Sequence, residues 1–231
     1  MFGFLGRKRL KIECRSVCDR GLARNDNQDC LFADPARGLF CVADGMGGAE
    51  AGAMASAIVC EEIGKVPGGL DFRAGVVAID DAIVRANARI IAYAAEHGLA
   101  RMGSTVVALL IDPNEPARAA VAGVGDSRVY RRRGVRLERM TEDHRVSAYS
   151  HLLTRAVGVA ETIQVDWLHA SVMKGDVWLL CSDGVHEMIP DSTIDALVAR
   201  GGSADDIALR IADCVRRAGA RDNYSIVAIR T

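Results

Sequence analysis

Asn27-Gln28-Asp29, Asp44-Gly45-Met46-Gly47-Gly48, Gly125-Asp126-Ser127-Arg128, Ser182-Asp183-Gly184 and Asp222-Asn223 are short acidic or polar turns spread along a chain of 231 residues. Four of them follow an apolar run that reads as a β-strand, so several carboxylates can meet at one end of a sheet. Carboxylates held together raise one another's pKa unless a cation or donor sits among them. A hard divalent cation answers that need. Carboxylates, backbone carbonyls and water suit Mg2+ or Mn2+, whereas zinc or copper recruits His or Cys. Two such ions about 3.5–4 Å apart can share a bridging water, lower its pKa and aim it in line at phosphorus. That chemistry hydrolyses a phosphoester without a protein nucleophile. It still wants a fixed cation for the terminal phosphate, and Arg24, just before the first turn, offers a planar guanidinium fork.

Other chemistries lack an anchor. None of the five histidines falls at metal-ligand spacing, and the glycine-rich 45–52 segment lacks the Lys-Ser/Thr of a phosphate-cradling loop. There is no Gly-x-Ser-x-Gly nucleophile elbow. A net charge of -1 gives no basic field for nucleic acid, and 50% hydrophobic with 26% charged residues is ordinary for a globular enzyme. The seven cysteines form no Cys-x-x-Cys pair and mostly fall in apolar runs, which fits a reducing compartment and a cytoplasmic location. Asn223-Tyr224-Ser225 matches a glycosylation sequon by chance. Residues 1–11 mix Phe2, Phe4 and Leu5 with Arg7, Lys8, Arg9 and Lys11, a basic leader expected to be solvated and too short in its apolar part for a signal or a membrane span.

The elements that must position the turns are legible in the periodicity. Strands are expected over 12–17, 30–33 and 39–43, then an alanine-rich helix over 49–63. Asp71 is an N-cap for a long amphipathic helix whose stripe, Phe72, Val76, Ile79, Ile83, Ala86, Ile90 and Tyr93, is core. An antiparallel meander follows over 104–111, 117–124, 128–132 and 135–140, continued by 165–170 and 176–181. Two helices begin at Ser192/Asp195 and Ser203/Asp206 capping boxes, and a strand over 225–229 closes the chain. Runs of antiparallel strands broken by helix pairs point to an α+β layered fold in one domain over 12–231. Arg131-Arg132-Arg133 with Arg136 reads as a charged hairpin tip facing water.

Taken together, Arg24-Asn25-Asp26-Asn27-Gln28-Asp29, Asp44-Gly45-Met46-Gly47-Gly48, Gly103-Ser104-Thr105, Gly125-Asp126-Ser127-Arg128, Leu153-Thr154-Arg155-Ala156-Val157-Gly158, Cys181-Ser182-Asp183-Gly184 and Asp222-Asn223 stand in the order found in metal-dependent type 2C protein phosphatases. The chain resembles a bacterial member of that PPM family over roughly residues 14–230. The resemblance implies a sandwich of two antiparallel sheets with a helix pair on each outer face. It also implies a serine/threonine protein phosphatase with two core Mn2+ or Mg2+ ions and a weaker third. In such an enzyme Asp44 would bridge the two ions, the Gly45 carbonyl would bind one, and Asp183 and Asp222 would hold the other. Asp29 would orient metal-bound waters, Asp126 would help bind the third ion, and Arg24 would grip the phosphoryl group. Substrates would be phosphoproteins, a cognate kinase among them, and the enzyme a monomer without a transmembrane segment.

Three departures stand out. Gln28 replaces a customary Glu, which removes a negative charge near one ion. Met46 stands where animal members carry a histidine, so leaving-group protonation would fall to water. The flap near 141–158 is short, only residues 145–152 separating His144 from Leu153, which leaves a more open cleft in which His144 and His151 are expected to be solvated. Two rival readings remain: a degenerate phosphatase fold that binds or senses, and a hydrolase of small phosphoesters.

Overall fold

Leu39-Phe40-Cys41-Val42-Ala43 has no polar face, and the fold buries both of its sides. The computed structural model describes residues 10–112, 118–147 and 152–231. In chain order the elements are β1 (Glu13–Asp19), β2 (Asp29–Asp34), β3 (Leu39–Met46), α1 (Ala49–Gly64), α2 (Phe72–Glu96), β4 (Gly103–Ser104), β5 (Val106–Ile111), β6 (Arg118–Val124), β7 (Arg128–Arg133), β8 (Arg136–Arg139), β9 (Asp166–Ser171), β10 (Val177–Cys181), α3 (Asp183–His186), α4 (Asp191–Ala199), α5 (Ala204–Arg217) and β11 (Tyr224–Arg230). One sheet runs β1-β11-β10-β7-β8 and the other β2-β3-β5-β6-β9, with β4 paired to β3. Every pairing is antiparallel.

Alternation along the strands sorts the core into layers. Phe40, Val42, Val107, Leu109, Val121, Trp178, Leu180, Val227 and Ile229 fill the space between the sheets. Their neighbours Leu39, Cys41, Ala43, Val106 and Ala108 face outward and pack on Ile58, Ile63, Ile79, Ile83 and Ile90 of α1 and α2. On the opposite side Leu179, Cys181, Tyr224, Ile226 and Ala228 pack on Ile194, Val198, Ile207, Ile211 and Val215 of α4 and α5. Each fully buried large aliphatic contributes about 1.5–3 kcal/mol of transfer free energy, so strands apolar on both faces are held firmly between layers. The expected sandwich of two antiparallel sheets with a helix pair on each outer face is the observed architecture.

Local signals mostly act as expected. Asp71 caps α2 by accepting from the Ala74 N–H at 2.9 Å, and Ser203 with Asp206 forms a complete capping box. Ser192/Asp195 does not, because α4 starts earlier behind Pro190 and the Asp195 carboxylate accepts instead from Arg132 Nε at 2.9 Å. The arginine tip is likewise not simply solvated. Arg131 pairs with Glu138 and stacks over Trp178, Arg132 pairs with Asp195, and Arg133 pairs with the buried Asp176, while Arg136 does face water. In the leader, Leu10 packs against the inter-sheet core, and residues 1–9 lie outside the described residues.

Candidate active site

At the ends of β2 and β3, Asp29 and Asp44 are direct cross-strand partners. Like charges in that position destabilise a sheet unless something compensates them. The backbone around Asp44 is clamped: its N–H donates to Thr105 Oγ1 at 3.0 Å, and its carbonyl accepts from the Thr105 N–H at 2.8 Å and from Ser104 Oγ at 3.1 Å. Thr105 Oγ1 in turn meets Ser127 Oγ at 2.7 Å, tying the Gly-Asp-Ser-Arg turn to the same point. Gly45 follows where no side chain fits, since a Cβ would stand 1.9 Å from the Gly52 carbonyl oxygen. The expected turn is thus the tightly packed end of β3, where Gly45 pairs with Ser104, and it carries Asp44 at the strand end.

The second sheet supplies the rest. β10 delivers Ser182 and Asp183, and β11 begins just after Asp222 and Asn223. Ser182 Oγ donates to Asp29 Oδ2 at 2.7 Å and accepts from the Ser225 N–H at 2.9 Å, linking β2, β10 and β11. Asn223 Oδ1 accepts from the Gln28 N–H at 2.9 Å, and its Nδ2 donates to the carbonyls of Arg20 and Asp26 at 2.9 and 2.8 Å. Asn223 thus fixes the loop that carries Arg24. Gly184 is as tightly constrained as Gly45, a Cβ there meeting the Asn223 carbonyl oxygen at 1.9 Å.

Arg24, Asp44, Gly45, Asp126, Asp183 and Asp222 line one cleft of about 720 Å³, with Asp29 buried beneath it. Burial pushes the Asp44 carboxyl well above the carboxylate range, and the charges of Asp29 and Asp183 push it further. Burial likewise raises Asp183 to about 7, helped by the charge of Asp126. Asp29 rises to about 6 through burial, against the opposing hydrogen bond from Ser182, and its Oδ1 is buried with no hydrogen-bond partner. An orphaned carboxylate oxygen beside carboxylates that repel one another fits a divalent cation pair held by oxygen ligands. Among the described residues, no three His, Cys, Asp or Glu side chains yet close into a complete ligand set. Asp222 Oδ2 is turned onto Arg24 Nη2 at 2.6 Å.

Several neighbours carry no sequence signal that singles them out. Arg221, Glu187 and Met188 line the cleft, beside Leu153 from the motif over 153–158. Arg145, expected only as part of a shortened loop, reaches Asp126 Oδ2 at 2.7 Å. Arg128 is a bidentate partner of Asp143 at 2.6 and 2.9 Å, which ties the Gly-Asp-Ser-Arg turn to the segment before His144. His144 is not solvated: it is buried, its Nδ1 accepts from the Gly125 N–H at 3.0 Å, and its Nε2 therefore donates to Asp166 Oδ2 at 2.9 Å. That bond holds Gly125 at φ 98°, a conformation open to glycine. His151 lies outside the described residues. His186, buried to a pKa of about 3, stays neutral and donates to the Asp126 carbonyl at 3.0 Å.

The profile of the protein phosphatase 2C family matches residues 15–220. The chain belongs to this family. It is 32% identical to the serine/threonine protein phosphatase PstP of Mycobacterium tuberculosis over 96% of its own length, and spans about half (46%) of that relative. Among solved structures it is similar to PppA, described as a key regulatory component of T6SS in Pseudomonas aeruginosa, with a TM-score of 0.91 and 30% identity over 96% of this chain and 98% of that one. The catalytic domain of PstP in complex with two manganese ions superposes with a TM-score of 0.83 at 28% identity, covering 95% of this chain and 97% of that one.

Proposed function

We propose that the chain is a Mn2+- or Mg2+-dependent protein serine/threonine phosphatase. The observation that carries this reading is the carboxylate group of Asp29, Asp44 and Asp183, raised in pKa by burial and by neighbouring carboxylates, under a cleft rimmed by Arg24 and Arg221. Asp44, the Gly45 carbonyl, Asp183 and Asp222 would hold two ions, with Asp29 orienting water from below. When bound, such ions supply an activated water and neutralise phosphate oxygens.

The chain's own groups do the positioning. Thr105 and Ser104 fix Asp44, Ser182 fixes Asp29, and Asn223 fixes the loop of Arg24. Arg24 would meet the phosphoryl oxygens through its fork once Asp222 turns to a cation. His186 is neutral with its Nε2–H held by the Asp126 carbonyl, and Met46 carries no ionisable proton, so leaving-group protonation would fall to water.

With this proposal belong the domain over 12–231, phosphoprotein substrates including a cognate kinase, a monomeric state and a cytoplasmic location. No helix among the described residues is long and apolar enough to cross a membrane. The test is turnover of a phosphothreonine peptide by protein stripped with chelator and then resupplied with Mn2+. Activity should vanish and return. Undiminished turnover after exhaustive chelation, or none under any divalent metal, would contradict the reading.

A further inference from the structure

Asp126 sits in the turn between β6 and β7, facing the cleft, and the family resemblance gave it a third, looser ion. Its Oδ2 lies 2.7 Å from Arg145 Nε, and the two side chains are only 7% and 9% exposed. Arg145 Nη1 lies 2.7 Å from Glu187 Oε1. Its Nη2 is buried without a hydrogen-bond partner. A guanidinium drawn so far out of water is held by charge: Asp126, Glu187 and Asp183 all act on it, against the cost of its burial.

The backbone leaves Arg145 little choice of place. It forms a bridge with Leu153, flanked by the Val146 N–H donating to the Leu152 carbonyl at 3.0 Å and the Thr154 N–H to the His144 carbonyl at 2.8 Å. His144, the residue before it, grips Gly125, the residue before Asp126. The arginine and the aspartate are thus delivered to each other by one pinned junction. A guanidinium is permanently charged and cannot exchange with solvent as a loosely bound ion does.

We propose that the Arg145 guanidinium stands in for a third cation at Asp126, so that this chain works with two ions and Asp126 acts as a positioning residue through Arg145. The shortened segment over 145–152 is then what admits the substitution, since Arg145 enters the site from its first position. The inference rests on the phosphatase reading above, and the experiment separates the two.

Manganese bound per chain is measured on the 231-residue chain by equilibrium dialysis and elemental analysis at saturating Mn2+, with circular dichroism confirming the fold of each variant. Wild type should hold about two ions, and Asp126→Asn should hold the same number. Arg145→Gln, which uncovers the Asp126 carboxylate, should gain a weaker third ion that Asp126→Asn removes again in the double variant. A wild type that holds a third ion lost in Asp126→Asn overturns the inference while leaving the phosphatase reading intact. So does a folded Arg145→Gln that gains no ion. Should Arg145→Gln not fold, the Asp126→Asn arm decides alone. A wild type that binds no manganese overturns the phosphatase reading and the inference with it.

Discussion

Arg24 Nη2 lies 2.6 Å from Asp222 Oδ2, so the cation expected at the substrate phosphate and a carboxylate expected at the metal hold each other. The side chains are 51% and 37% exposed, and a surface ion pair of this kind contributes about 0–1 kcal/mol to stability. We predict that Arg24→Ala changes the melting temperature little, frees Asp222 and so tightens Mn2+ binding, yet weakens phosphopeptide binding. Loss of charge-assisted bonds of about 1.5–3 kcal/mol raises KM roughly ten- to hundredfold. Arg24→Lys should restore part of it, keeping the charge but not the fork. Steady-state kinetics beside melts and Mn2+ titration check this, and an unchanged KM with a large fall in melting temperature would make Arg24 structural.

Gln28 gives the second prediction. In the orientation that satisfies both ends of its amide, its nitrogen donates to the Gly45 carbonyl at 3.1 Å and the Gly48 carbonyl at 3.3 Å. The amide therefore competes for a carbonyl that the metal reading needs. Gln28→Glu would replace a donor by a negative acceptor facing two carbonyls, so the metal-free variant should melt below wild type and Mn2+ should more than restore it. Affinity for Mn2+ should rise about tenfold or more, equivalent to about 1.4 kcal/mol. Calorimetry showing equal or weaker binding in Gln28→Glu would count against this account of the site.

The third concerns the scaffold. Glu62 on α1, 3% exposed, joins Lys65 at 2.9 Å, Arg85 at 3.0 Å and Arg89 in a network that ties α1 to α2. Burial pushes its carboxyl up, but the three cations outweigh that and hold it at about 2, against 4.5 when free. Between those values the folded chain binds fewer protons than the unfolded one, so the stabilisation is complete above about pH 4.5 and is lost as pH falls toward about 2. Glu62→Gln should melt lower than wild type at neutral pH and lose less between pH 5 and pH 2. Parallel losses in melts across that range would show that the network does not carry the acid sensitivity.

What the sequence made legible follows from which signals are local. The unbroken apolar run over 39–43 and the capping of α2 by Asp71 need only neighbouring residues, and both formed as read. Asp44, Asp183 and Asp222 were legible because each acid lies beside an apolar strand, although Asp44 continues β3 and Asp183 opens α3 where the sequence read turns, and sheet topology then brings those ends to one cleft. The polar pairings were not legible. Asp195 went to Arg132 rather than to its own helix start, and Asp126 met Arg145, because long side chains choose partners across elements that spacing does not reveal. His144 looked solvated for the same reason: its two partners, Gly125 and Asp166, lie on other segments.

Asp44 tests the central claim most directly. It is the carboxylate that Asp29 and Asp183 both crowd, and the Thr105 and Ser104 hydroxyls with the Thr105 N–H hold its backbone by contacts that an asparagine would keep. The measurement is phosphate release from a phosphothreonine peptide by wild type and Asp44→Asn under saturating Mn2+, with melts confirming that both are folded. The account predicts a folded variant whose rate falls by several orders of magnitude, since the charge that would join the two ions is gone. Near-normal turnover by Asp44→Asn would contradict it.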